Sequence, residues 1–155
     1  MKTKLKWAGI VLAVIFLLLQ FTSPARINGP VKKDLIATVN PPAAVAASLR
    51  AACYDCHSQE TKWPFYAKIA PSSWLVVGDV NEGRQHMDLS DWPDDAVRAA
   101  KKLDRINEVL DYREMPPKKY TLLHPEARLT EEQRKQVMDW TDAAAKSMQG
   151  SSTNQ

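Results

Sequence analysis

"RAACYDCHSQE", residues Arg50–Glu60, holds both cysteines of the chain, Cys53 and Cys56, with His57 directly after them. Two cysteines at this spacing serve as a disulfide, half of a zinc site, a redox dithiol or the tether of a haem. A thioredoxin-like dithiol follows a strand in a βαβ unit, and no alternating strand pattern precedes this one. Zinc needs four ligands. Cys53 and Cys56 would need two of His57, His86 and His124, and His57 is poorly placed to share a tetrahedral ion with both thiolates. A disulfide across two residues closes a small loop and constrains the unfolded chain little.

The tether reading uses all three residues. C-x-x-C-H is the attachment motif of c-type haem. Each thiol adds across a vinyl group, a helical turn sets the sulfurs at the separation of the two vinyls, and the following imidazole faces the iron. Cys53, Cys56 and His57 are therefore the expected haem c and iron-binding residues. Methionine is a common partner of histidine on the other side of such an iron. Met115, in "YREMPPKKY", fits that role best, because it follows a helix and precedes two prolines that hold the backbone extended. Met87 and its neighbour His86 remain alternatives, and core packing is the stronger reading for Met138 and Met148. Trp63, Phe65, Tyr66, Trp74 and Trp92 would wall a large apolar ring, although an ordinary core predicts the same burial. Arg84, Lys118 and Lys119 are candidates for haem propionates; exposed solubilising charge is the plainer reading. His124 reads as a surface or capping histidine.

The compartment agrees. The chain of 155 residues starts with Lys2, Lys4 and Lys6 ahead of an apolar run from Trp7 to Phe21, the pattern of an export signal or membrane anchor. Ser23-Pro24-Ala25 is a poor cleavage site, so the segment reads as an uncleaved anchor with the lysines in the cytoplasm and the rest outside. The net charge of +3 comes from these three lysines. The remaining charges balance, which argues against a nucleic-acid partner.

The chain divides into a signal-anchor at residues 1–25, a linker at 26–40, a haem-binding domain at 41–149 and a disordered tail at 150–155. Helices are expected at Ala43–Ala52, from Pro71 or Ser72 to Arg84 with Ser72 or Ser73 as cap, and at Asp94–Leu110 with Val97, Ala100, Leu103, Ile106 and Leu110 on one face. A last helix follows the capping box of Thr130 and Gln133, with Val137, Trp140, Ala144 and Met148 inward. The fold class is all-α with long ordered loops.

The motif, the stretch from Val39 to Trp92, then "EMPP", "LLHPEARLT" and a tryptophan-bearing last helix together resemble the bacterial haem-binding domain family from about Val39 to Lys146. The resemblance implies covalent haem on Cys53, Cys56 and His57. The family is similar to mono-haem cytochromes c, and its domain also occurs joined to cytochrome c and di-haem peroxidase domains, which implies a redox setting. A cytochrome c-like architecture would place Ala43–Ala52 against the last helix, and "EMPP" resembles the methionine–proline ligand loop, with Met115 as ligand. The expectation is a cytochrome-like, non-enzymatic protein of the bacterial inner membrane. It faces the periplasm and passes single electrons to a redox protein partner. A haem sensor with an open sixth position is the alternative. Peroxidase activity would need His86 or Arg84 as acid-base and charge-stabilising groups.

Overall fold

The computed structural model describes residues 2–152. The elements are α1 (Lys2–Gln20), α2 (Leu35–Val39), α3 (Ala43–Ala52), α4 (Tyr54–His57), α5 (Ser72–His86), α6 (Ala96–Asp111), α7 (Lys118–Leu123) and α8 (Glu131–Ser152), with 3-10 turns at Phe65–Lys68 and Pro125–Ala127. Among the described residues there is no strand, only an isolated bridge between Lys33 and Asp91. The chain is all-α, as its sequence predicts.

The core is built on α6 and α8, which lie along each other, with α3 packed against α8. Ala99, Ala100, Leu103, Ile106 and Leu110 bury one face of α6 against Val137 and Ala145 of α8 and Val45 and Leu49 of α3. Thr141 is fully buried in this seam. Its hydroxyl donates to the Met138 carbonyl and accepts from Asn107 Nδ2, 3.1 Å away, which removes the penalty of an unpaired buried polar group. Ala100, Leu103, Ile106 and Leu110 face inward as expected. Val97 is exposed and Ala99 takes the inward place. In α8, Trp140, Ala144 and Met148 flank the seam rather than fill it. The capping box forms as expected: Gln133 N donates to Thr130 Oγ1 (3.1 Å) and Thr130 N to Gln133 Oε1 (2.9 Å).

Other local expectations change. The segment read as linker holds α2, whose N-cap Asp34 accepts from Ala37 N and whose end is set by Asn40 in the left-handed region, φ 50°. Five residues are too few to show a helical period. Asp34 also accepts from the Tyr54 hydroxyl (2.8 Å), so this helix is held by a residue inside the cysteine motif. Neither Ser72 nor Ser73 caps α5; Ser72 Oγ donates to the carbonyls of Tyr66 and Ile69 instead. α8 continues through Gly150 to Ser152, and the remainder of the expected tail lies outside the described residues.

Candidate haem-binding site

Cys53 ends α3, its N–H bonded to the Leu49 carbonyl, with φ −123° and ψ −40°. That break lets a new turn start. The N–H groups of Cys56 (3.2 Å) and His57 (2.9 Å) both donate to the Cys53 carbonyl, so one turn, α4 with Cys53 as its N-cap, carries the three motif residues on a common backbone frame. Helix α5 presses against it through Gly83. A Cβ there would stand 2.6 Å from the Cys56 carbonyl oxygen, closer than real Cβ contacts allow, so glycine is required for this approach.

The end of α5 also sets the imidazole. His57 Nδ1 lies 3.0 Å from the main-chain carbonyl of Met87. A carbonyl only accepts, so Nδ1 carries the proton and Nε2 keeps its lone pair. Burial lowers the His57 pKa and favours the neutral ring, the form that ligates a metal. Burial pushes the Cys53 thiol up to about 12 and the Cys56 thiol up to about 11. A reactive dithiol needs the opposite shift. Both cysteines are free, and among the described residues no three His, Cys, Asp or Glu side chains are grouped to hold a metal ion.

These residues open onto a cavity of about 660 Å³, within the usual range for ligand and cofactor sites of roughly 300–1,000 Å³. Leu49, Val76, Val80, Leu89, Ile106 and Leu110 supply its apolar wall. Two thiols and a neutral imidazole on one turn, facing an apolar cavity of this size, are a donor set that fits a haem.

Met115 lines the same cavity from the segment after α6, as do Met87 and, at the rim, His86; Met138 and Met148 pack on the core instead. The Met115 segment folds back onto α6. Arg113 takes φ 56°, and the N–H groups of Glu114 and Met115 both donate to the Val109 carbonyl. Arg134 of α8 holds it from behind, donating from Nη1 to the carbonyls of Leu110 (2.9 Å) and Met115 (3.3 Å). The segment is a bend with a cis Met115–Pro116 bond rather than the extended backbone expected from its prolines.

The aromatic wall is different from the expected one. Of the five residues named, Tyr66 lines the cavity. Trp92 is buried in the core, Phe65 and Trp74 are exposed, and Trp63 donates to Asn28. Tyr120 takes their place, donating to Asp55 (2.8 Å) and stacking on His124 with ring centroids 4.3 Å apart. His124 is not a surface group. Its ring stands against the cavity with Nε2 2.6 Å from the Tyr66 hydroxyl and Nδ1 2.8 Å from Glu126.

Arg84 is not a solubilising charge. It donates from Nε to Ser58 O, from Nη1 to Ile27 O, and from Nη2 to Asn28 Oδ1 and Thr61 Oγ1, all within 3.0 Å. It ties the segment before α2 to the turn after the motif. Lys119 lies at the cavity but pairs with Asp79 (2.7 Å), while Lys118 is exposed.

Among known proteins, the chain is 30% identical over 97 residues to the cytochrome c peroxidase Ccp of Escherichia coli K12. The match covers 57% of this chain and 20% of that protein, so the chain spans about a fifth of the length of its relative. No solved structure matches it. Residues 14–143, most of the chain, match the family described as a haem-binding domain, and the chain belongs to that family.

Proposed function

We propose that this haem-binding domain is an anchored mono-haem cytochrome of the c type, facing the periplasm and passing single electrons to a protein partner. The observation that carries the reading is the convergence of Cys53, Cys56, His57 and Met115 on one apolar cavity. Cys53 and Cys56 would hold the haem as thioethers, and His57 Nε2 and Met115 Sδ would bind its iron. Bound in this way, haem would supply a one-electron couple whose potential the ligand types and the burial tune.

The rest of the work belongs to the chain. The Met87 carbonyl fixes the His57 tautomer and ring orientation. The same contact favours Met115 over Met87 as second ligand. Met87 has its main chain beside Nδ1, on the side of the imidazole away from Nε2. Arg134 and the Val109 carbonyl hold the Met115 main chain, so little rearrangement would accompany electron transfer. The likeness to a fifth of a cytochrome c peroxidase supports reading the domain in a redox setting. Of the groups that peroxide chemistry would recruit, Arg84 gives its donors to the segments around the motif, while His86 stands 77% exposed at the cavity rim.

The test is the absorption spectrum of protein matured in a haem-attaching host. The ferric form should show the weak red band of methionine sulfur on iron. Met115→Ala should lose that band while the helical circular dichroism stays, and Met87→Ala should keep it. Retention of the band in folded Met115→Ala contradicts the ligand assignment. Rapid carbon monoxide binding to the reduced wild type would favour a sensor with an open sixth position instead.

A further inference from the structure

Helix α1 is one helix long and apolar enough to cross a membrane by length and composition. Its apolar run begins at Trp7, after Lys2, Lys4 and Lys6, and the first polar side chain within it is Gln20. The hydrocarbon boundary on the domain side therefore falls near Gln20 and Phe21, where the apolar run ends.

That end of α1 is bonded to the domain rather than joined to it by a free tether. Gln20 Oε1 accepts from Ala70 N (2.9 Å) and its Nε2 donates to Ala70 O (3.3 Å). The Thr22 carbonyl accepts from Trp74 Nε1 (3.1 Å), and the hydroxyls of Ser23 and Ser73 are 3.0 Å apart. Groups in hydrogen-bond contact with the end of a spanning helix lie within the headgroup layer, which is about 5–8 Å deep on each side.

The surface around these contacts has the composition of that layer. Phe65 is 76% exposed and Leu75 71%, and Ile69 and Trp74 are exposed as well. All four belong to the short stretch that bonds to α1. Lys68 and Arg26, exposed beside them, suit anionic headgroups; Arg26 donates to the Ala67 carbonyl within the patch. Aromatic and aliphatic side chains flanked by basic ones are the composition of membrane-interface surfaces. Exposed apolar residues clustered in this way mark an interaction site on an otherwise soluble domain.

We propose that Phe65, Ile69, Trp74 and Leu75 form a lipid-docking face that lies in the headgroup layer and fixes the haem domain flat on the membrane in one orientation. The inference rests on the anchored reading of α1. Leu75 also lines the cavity, so this face and the cavity edge are continuous, and the cavity sits at the membrane surface.

Photo-cross-linking to lipid tests it. Benzoylphenylalanine replaces Phe16, Phe65, Ile69 or Tyr112, one at a time, in the full haem-loaded chain in nanodiscs of phosphatidylethanolamine and phosphatidylglycerol. Lipid adducts are then read by mass spectrometry. Adducts are expected at position 16 within α1 and at 65 or 69, with none above background at 112, exposed at the end of α6. Adducts at 16 but at neither 65 nor 69 overturn the docking face and leave the anchor standing, as do equal yields at 65 and 112. No adduct at 16 overturns the anchor, and the docking face with it.

Discussion

At the scale of single residues, the site rests on protonation and on one close contact. Both motif thiols are raised from 9.0, to about 12 for Cys53 and about 11 for Cys56, with burial the main cause. The folded chain thus holds these protons more tightly than the unfolded chain does. Their contribution to stability is complete below pH 9 and is lost as the pH rises through the folded values. In chain produced without haem, iodoacetamide should alkylate Cys53 and Cys56 slowly at pH 8 and faster towards pH 11, in step with thiolate formation. Fast alkylation at pH 8 in the folded chain would refute this. Gly83 gives a second residue-level prediction. Gly83→Ala forces a Cβ against the Cys56 carbonyl and should cost about 1–3 kcal/mol, the usual size of overpacking. Gly78 in the same helix has nothing within 4 Å of its would-be Cβ, so Gly78→Ala should stabilise by roughly 0.5–1 kcal/mol through helix propensity alone. Chemical denaturation of the pair separates the contact from propensity.

At the scale of elements, α4 is held by what surrounds it. Four residues are too short to be stable alone, and α5 supplies both Gly83 and the Met87 carbonyl. Arg84 of α5 adds its donors to Ser58, Ile27, Asn28 and Thr61. Arg84→Ala should destabilise by about 2–4 kcal/mol, since charge-assisted hydrogen bonds contribute roughly 1.5–3 each and water replaces part of them. Arg84→Lys should not restore the loss, because one ammonium cannot reach the same fork of acceptors. A wild-type unfolding midpoint in Arg84→Lys would show that charge alone matters there. This contrast also marks the limit of what the sequence discloses. The long helices were legible because periodicity and caps are local: Ala43–Ala52 appears with the expected bounds, and the Thr130–Gln133 box forms. Helix α2, the fork of Arg84 and the Tyr66–His124–Glu126 chain were not. Each depends on residues 20 to 58 positions apart, and a short segment read alone gives no sign of its partner. The motif itself was legible because C-x-x-C-H is a local pattern of fixed spacing. The cavity wall was not, since any of the aromatics could have filled it.

At the scale of the whole molecule, the α6–α8 pair with α3 is the rigid frame. It presents α4 on one side of the cavity and the Met115 segment, braced by Arg134, on another. Helix α1 is fastened to the opposite end of α5 from His86, through Ala70, Ser73 and Trp74, so one helix links α1 to the motif. The central claim is that Cys53 and Cys56 hold haem covalently. Intact-protein mass spectrometry after acid–acetone extraction, on chain matured in a haem-attaching host, reads it directly. The account predicts a polypeptide heavier by one haem in the wild type, with a c-type pyridine haemochrome, and no such gain when Cys53→Ser and Cys56→Ser are combined. A wild-type chain of unmodified mass, with its haem released into the solvent, would contradict it.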